Sequence, residues 1–401
     1  MSLTLLLDLD DTLLDSNMNA FIPAYFQKLA GYLADRVSPD ELVKYLMIGT
    51  RQMMSNSDPR QTLRETFDAN FYRPLGLDRE QMRPVLETFY DEIFPTLQVL
   101  TKPKPEAVAF VDWAVAQGYR IAISTNPLFP RKAIYHRLRW AGLDPQKYPF
   151  EVITSYEEFH FSKPNPAYFA EVLARMGWLD GPVLLVGDDP ELDIIPAMKM
   201  GLSSFWITAD GANLPDGLNP AGKGRIEDLN AWLESGDKQL LQPDFSSPDG
   251  LLAVLKSTPA AIASMLAQLS PREWKRTPQP EEWSVTEIMC HLRDVDLEVN
   301  LPRLEKVLEQ DNPFVPGMET DVWAKERGYS RQNGLEALDD FAAARVRLIE
   351  QLQTLDEATW DRKIRHAIFG PSTFRELVSF MAEHDRVHVR QIYETLNNIE
   401  E

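Results

Sequence analysis

The chain opens on Leu3-Thr4-Leu5-Leu6-Leu7, a short apolar run that ends abruptly in the acids Asp8, Asp10 and Asp11. A run of this length without polar alternation predicts a strand of a parallel sheet, buried on both faces. From about residue 16 to residue 99 the pattern changes. Apolar residues recur at spacings of three and four over 20–33, 39–47, 60–70 and 79–93, and Asn, Pro and Gly punctuate the segments. That period predicts helices. Short apolar runs then return at 119–123, 151–154, 183–186 and 204–208, with helical patterns at 104–118, 131–141, 167–176 and 194–200. Strand alternating with helix predicts an α/β doubly wound parallel sheet, whose ligand site lies at the carboxyl ends of its strands. The helical insertion after the first strand is either a lid that excludes water or an independent helical subdomain.

The second half carries a different pattern. A helix near 225–233 closes the first unit, and the polar stretch 236–247 reads as a linker. Helical periods follow over 251–269, 284–309, 334–355 and 373–397, with no convincing strand among them. Ser284 with Glu287 three residues on forms a capping box, and Ser372 stands before Thr373 and Glu376 at the start of the last helix. Four helices predict an all-α four-helix bundle. The loop 311–330, with Trp323 and Tyr329, covers a site or packs. The 401 residues thus divide into a domain at 1–235, with its insertion at 16–99, and a bundle at 248–401.

Charge narrows the functions. A net charge of −20 argues against a nucleic-acid surface, which needs a basic face. It leaves room for a small phosphorylated metabolite held by a local lysine and a metal. The single cysteine, Cys290, allows no internal disulfide and fits a reducing cytoplasm. The N-terminal run is too short for a signal peptide, and no apolar stretch approaches the length of a membrane span.

The polar residues at the strand ends suggest chemistry. Asp8 and Asp10, two apart, can both point to one crevice in extended backbone. Two carboxylates that close repel unless a cation neutralises them, and Mg²⁺ suits oxygen donors. The competing reading is a surface turn. Thr125 and Asn126, at the next strand end, can donate hydrogen bonds to a phosphoryl oxygen. Lys163 can neutralise phosphate and carboxylate alike. Asp188 and Asp193 close another strand with carboxylates that complete a metal site. Arg131 is either a substrate contact or a solvated helix start. In the bundle, His384 and His388 share one helical face at i, i+4. Together with His291 they form a divalent metal site or, in the competing reading, a surface pair with a lone partner. Cys290 points about 100° away from His291 and reads as core. Asp294 is either a hydrogen-bond partner of His291 or solvated. His136, His160 and His366 have no partner at metal spacing.

Two resemblances add to these readings. Asp8-x-Asp10-x-Thr12, the hydroxyl of Thr125, Lys163 and Gly187-Asp188-x4-Asp193 occur in the order of the four motifs of the haloacid dehalogenase-like (HAD) hydrolases. Residues 1–235 resemble that superfamily, with the insertion similar to its α-helical cap. The resemblance implies that Asp8 is the nucleophile of an aspartyl-phosphate mechanism and that Asp10 is the general acid and base. It implies that Thr125 and Lys163 hold the phosphoryl group. It also implies that Asp8, Asp10 (through its backbone carbonyl) and Asp188 bind Mg²⁺, with Asp193 orienting a metal water or Lys163. Asp10 is lacking in the family's dehalogenases, so a phosphatase is expected, with a phosphomutase as the alternative. Residues 248–397 resemble the DinB-like bundles through Trp283-Ser284-x2-Glu287-x3-His291 and His384-Asp385-x2-His388-x2-Gln391. That resemblance implies a second divalent metal, Zn²⁺ or Ni²⁺, on His291, His384 and His388. The bundle is then a thiol-dependent transferase, or a ligand-binding or homodimerisation module.

Overall fold

The structure is a computed structural model that describes residues 2–209, 215–279 and 281–397. The chain forms two compact units. One comprises Met1–Ser57, Gln61–Tyr168 and Asp180–Pro243, the other Asp58–Arg60, Phe169–Leu179 and Asp244–Glu401. Residues 398–401, which the sequence reading included in the bundle, lie outside the described residues.

The first unit is built on a six-stranded sheet. Its strands run in the spatial order Phe150–Ile153, Arg120–Ile123, Thr4–Leu7, Val183–Gly187, Ser203–Ile207 and Gly222–Gly224. Every pairing is parallel. Leu5, Leu6 and Leu7 are wholly buried, which is why this strand needs no polar face. Burying each such leucine contributes about 1.5–3 kcal/mol. Sequence order reverses direction across the sheet between Thr4–Leu7 and Val183–Gly187. Their carboxyl ends flank the switch point where open α/β sheets bind ligands. Asp8 follows the first of these strands and Asp188 the second.

The insertion contains the helices Met18–Tyr32, Pro39–Ser55, Leu63–Phe71 and Arg79–Thr88. Their starts follow local chemistry. Ser38 accepts from the Glu41 N–H, Thr62 and Glu65 form a capping box, and Asp78 accepts from the Gln81 N–H. Leu14–Asp15 pairs antiparallel with Lys102–Pro103, so two short strands bracket the insertion. Two-residue strands carry no periodic signal, and the sequence reading did not find them.

In the second unit the helices Pro248–Leu266, Val285–Val295, Gly334–Leu352 and Phe374–Asn397 form the bundle. Ser284 and Glu287 make the expected capping box. The segment predicted as one helix over 284–309 is interrupted by a wider, π-type turn at Asp296–Asn300 before Leu301–Glu309 resumes. That turn aims Asp296 at Arg345. The Arg345 guanidinium is buried and also bonds Asp385 and the Leu255 carbonyl, so it ties the bundle's helices together. The expectation of no strand after residue 250 is corrected. Phe314–Val315, Lys363–His366 and Gly370–Thr373 form a small three-stranded sheet. Lys363-Ile364-Arg365-His366 does alternate exposed and buried, but four residues with one aliphatic side chain carry too little pattern to be recognised.

Candidate active site and a histidine cluster

Asp8 stands at the end of its strand with its N–H donating to the Val186 carbonyl at 2.9 Å. The carboxylate is buried, and its Oδ1 accepts from Lys163 Nζ at 2.7 Å. The same ammonium donates to Asp193 Oδ1 at 2.6 Å. The second Asp193 oxygen accepts from the Asp189 N–H at 3.2 Å, so both of its oxygens are engaged. Asp193 sits against Gly187, where a Cβ would lie 2.4 Å from the carboxyl carbon. Any larger residue at 187 would displace the carboxylate that holds the lysine. Asp188 accepts from the Thr12 hydroxyl at 3.2 Å, and its backbone carbonyl accepts from the Trp206 indole at 2.7 Å.

Asp10 is gripped on both oxygens. Ser16 Oγ donates to Oδ1 at 2.6 Å and Arg137 Nη2 to Oδ2 at 2.7 Å, while the Thr125 hydroxyl lies 3.5 Å from Oδ2. The Thr125 carbonyl is fixed by the hydroxyls of Thr154 and Tyr168 at 2.6 and 2.7 Å. Asn126 lines the adjoining cavity, and its Oδ1 is buried without a hydrogen-bond partner. The sequence-predicted residues Asp8, Asp10, Thr125, Asn126, Lys163, Asp188 and Asp193 therefore surround one cavity of about 680 Å³. Arg131 does not join them. Its guanidinium pairs with Glu158.

The electrostatics are those of a site with too much negative charge. Burial raises Asp8 well above the usual carboxylate range, with Asp193, Asp188 and Asp10 adding to the shift and Lys163 opposing it. Burial and the neighbouring Asp193 and Asp11 push Asp188 up to about 7. Burial alone would lower Lys163, but Asp193 and Asp8 outweigh it and hold the ammonium above its ordinary range. Lys163 and Arg137 are the buried cations in contact with these carboxylates.

Sequence reasoning missed Arg137, which is 1% exposed. Its Nε and Nη1 are buried without hydrogen-bond partners, and its Nη2 also lies 3.3 Å from Thr125 Oγ1. A signal was present. On the helix Arg131–Trp140, Arg137 shares the buried stripe of Ala133, Ile134 and Leu138. An arginine in an apolar stripe is costly unless it meets a buried acid.

In the second unit the three imidazoles converge through Nε2. His291 Nε2 lies 3.0 Å, and His388 Nε2 3.2 Å, from His384 Nε2. Trp283 stacks on His388 at 6.0 Å with the rings nearly parallel, and lies 4.9 Å from the His291 ring. His388 Nδ1 is turned outward to Gln391 Oε1 at 3.0 Å. Gln391 orients the ring; it closes the bundle's sequence motif, which gave it no role of its own. Its place three residues after His388 was the available signal. Burial lowers all three histidines, with His291 brought down to about 3 by burial and by the neighbouring His388. The rings are thus neutral, with lone pairs available. Asp294 is neither solvated nor bonded to His291. It is buried and accepts from Arg293, Arg327 and Tyr329, while His291 Nδ1 has no partner. Cys290 is buried, as expected of a core residue.

The site thus combines aspartates and a threonine at the strand ends of a doubly wound parallel sheet with a lysine from the loop before the helix Pro166–Arg175. The sequence profile of the haloacid dehalogenase-like hydrolases matches residues 5–207, and the chain belongs to that family. Residues 255–392 match the sequence profile of the DinB superfamily. Among curated proteins, the uncharacterised YuaE of Bacillus subtilis is 26% identical over 147 residues, 34% of this chain and 90% of YuaE. The pyrimidine 5′-nucleotidase YjjG of Escherichia coli is 33% identical over 119 residues, 29% of this chain and half of YjjG. The pyrophosphatase PpaX of Bacillus pumilus is 27% identical over 205 residues, 51% of this chain and 82% of PpaX. Among the described residues no helix is long and apolar enough to cross a membrane.

Proposed function

We propose that the first unit is a Mg²⁺-dependent phosphatase of small phosphomonoesters, acting through a phosphorylated Asp8. The observation that carries this reading is the convergence of Asp8, Asp10, Thr125 and Lys163 on one cavity beneath the helical insertion. Oxygens of Asp8, Asp188 and Asp193 lie within 4.8 Å of one another, and such hard anionic donors suit Mg²⁺. The raised Asp8 and Asp188 supply the fit on electrostatic grounds, since a divalent cation offsets the repulsion that burial enforces. Asp8 and Asp188 would hold the ion, with the Asp10 backbone carbonyl. Asp193, with both oxygens engaged, would hold Lys163 instead. When bound, Mg²⁺ would neutralise charge on the transferring group.

The chain's own residues do the rest. An oxygen of Asp8 attacks phosphorus as the bond to the leaving oxygen breaks, and Asp10 gives that oxygen its proton. Water then attacks the phosphorylated Asp8, Asp10 takes the water's proton, and the carboxylate leaves with inorganic phosphate released. Lys163 offsets the negative charge on the phosphoryl oxygens, and Thr125 and Asn126 donate to them. Arg137 and Ser16 fix the orientation of Asp10 before substrate arrives.

For the second unit the reading is a divalent metal, Zn²⁺ or Ni²⁺, held by Nε2 of His291, His384 and His388. Three neutral imidazoles make a nitrogen donor set with a further coordination position open.

Phosphate release across a panel of small phosphomonoesters, with Mg²⁺ and with EDTA, tests the phosphatase reading. Wild type is expected to release phosphate with Mg²⁺ alone, and Asp8→Asn to lose it. Release by wild type in EDTA, or by Asp8→Asn at the wild-type rate, would overturn it.

A further inference from the structure

The cavity above Asp8 has a second end that phosphate chemistry does not explain. A volume of about 680 Å³ is that of a pocket for a drug-sized molecule, far more than a phosphoryl group fills. Much of its wall is aromatic and aliphatic, supplied by the insertion through Ile22, Phe26, Phe67 and Phe71. Phe67 and Phe71 stack on each other at 4.9 Å, which holds this aromatic wall in place. Four tyrosines add a polar rim. Tyr25 and Tyr90 satisfy each other at 2.9 Å. Tyr72 and Tyr156 also line the cavity, and among the described residues no group bonds either hydroxyl. Arg64 lines it too, and among the described residues no group bonds its terminal guanidinium nitrogens. Arg79, by contrast, is already paired with Asp68 and Glu80.

The open groups are all able to donate. In an apolar wall, unmet donors select a ligand that brings acceptors. Asp68, Glu87 and Glu157 line the same cavity and offset its cations, so a second strongly anionic group gains little there. We propose that this end of the cavity receives the organic body of the substrate. That body is a flat ring bearing neutral hydrogen-bond acceptors, such as ring nitrogens or carbonyl oxygens, which meet Arg64, Tyr72 and Tyr156. A short aliphatic phosphate would leave these donors to water and the apolar wall uncovered. The inference rests on the phosphatase reading above and names the substrate class of that same site.

The test uses the full chain with Mg²⁺ and compares kcat/KM for four probes. Uridine and adenosine 5′-monophosphate carry acceptor-bearing rings. Phenyl phosphate carries a ring without acceptors, and glycerol 3-phosphate is small and aliphatic. The better nucleotide is expected to exceed phenyl phosphate by about tenfold, and glycerol 3-phosphate by more, as one or two hydrogen bonds and a buried ring imply. In Arg64→Met and Tyr72→Phe, the preference for that nucleotide over glycerol 3-phosphate should fall about tenfold each, through KM more than kcat. Equal or better turnover of glycerol 3-phosphate or phenyl phosphate by wild type would overturn the inference while leaving the phosphatase reading intact. So would variants that keep the wild-type preference. Phosphate release from none of the four, nor from acetyl phosphate, would overturn both.

Discussion

Asp8, Asp188 and Asp193 at the strand ends, and His291, His384 and His388 within the bundle, each bring three donor atoms within 4.8 Å of one another. Burial acts on the two sets in opposite senses. It raises Asp8 and Asp188, so the carboxylates resist losing their protons and repel once they have done so. It lowers the three histidines, so the imidazoles stay neutral and need no counter-charge. The carboxylate cluster therefore calls for positive charge, while the histidine cluster offers lone pairs to a softer cation. Their supports differ accordingly. The acids meet a cation and a hydroxyl, Lys163 and Thr12, each within 3.2 Å, while Arg137 and Ser16 hold the neighbouring Asp10. The histidines are held by an aromatic wall and one amide, Trp283 and Gln391. Three convergent side chains alone do not define a site. The dielectric and the neighbours decide which ion it suits.

The largest effect expected is on the acid side. Asp10→Asn should lower kcat for phosphate release by about 10²–10⁴-fold, the usual contribution of a general acid and base, and steady-state kinetics would read it. An effect below tenfold would remove Asp10 from proton transfer. Arg137→Leu, which frees the Asp10 carboxylate without touching the phosphoryl group, should cost on the order of 10²-fold in kcat with KM little altered. Arg137→Lys should recover part of that loss, because an ammonium can reach one oxygen of Asp10. A purely structural Arg137 would instead show equal loss of folded protein in both variants by circular dichroism.

On the histidine side, Gln391→Leu should weaken Zn²⁺ or Ni²⁺ binding by about 10–100-fold, as loss of an outer hydrogen bond to a ligand usually does. Titration against a competing chelator would measure it, and unaltered affinity would dissociate Gln391 from the metal. The smallest effect sharpens the contrast in charge. Without metal, Asp188 titrates near 7 in the folded protein, against 3.8 for the ordinary carboxyl. A pKa raised by folding contributes stability that is present below the unfolded value and is lost as pH rises through the folded one. The metal-free protein should therefore lose Tm as pH rises from 3.8 to about 7. Added Mg²⁺ should restore more of it at pH 8 than at pH 5, by a few degrees in thermal melts. Equal gains at both pH values would break the electrostatic half of the comparison.

Much of the first unit was legible because its strands are buried on both faces. Leu3 to Leu7 can be read without knowing its partners, and the acids that follow it stand out against that run. Helix starts such as Thr62 and Ser284 were legible for a similar reason, since a cap is satisfied within four residues. What escaped depends on packing between distant segments. Arg137 meets Asp10 across 127 positions of sequence. The insertion's share of the cavity wall comes from four helices whose mutual placement no local period encodes. The strand Lys363–His366 is ordered by its neighbours, not by its own apolar content. Asp294 was open to two readings from sequence. The arginines that decide against both include Arg327, 33 residues away.

The most direct test of the account crosses the two sites. Mg²⁺-dependent phosphate release and the bound Zn²⁺ or Ni²⁺ content are measured together for wild type, Asp8→Asn and His384→Ala. The account predicts that Asp8→Asn loses phosphate release and keeps the transition metal, while His384→Ala loses the transition metal and still releases phosphate. Phosphate release that survives Asp8→Asn, or that vanishes from a folded His384→Ala protein, would contradict it.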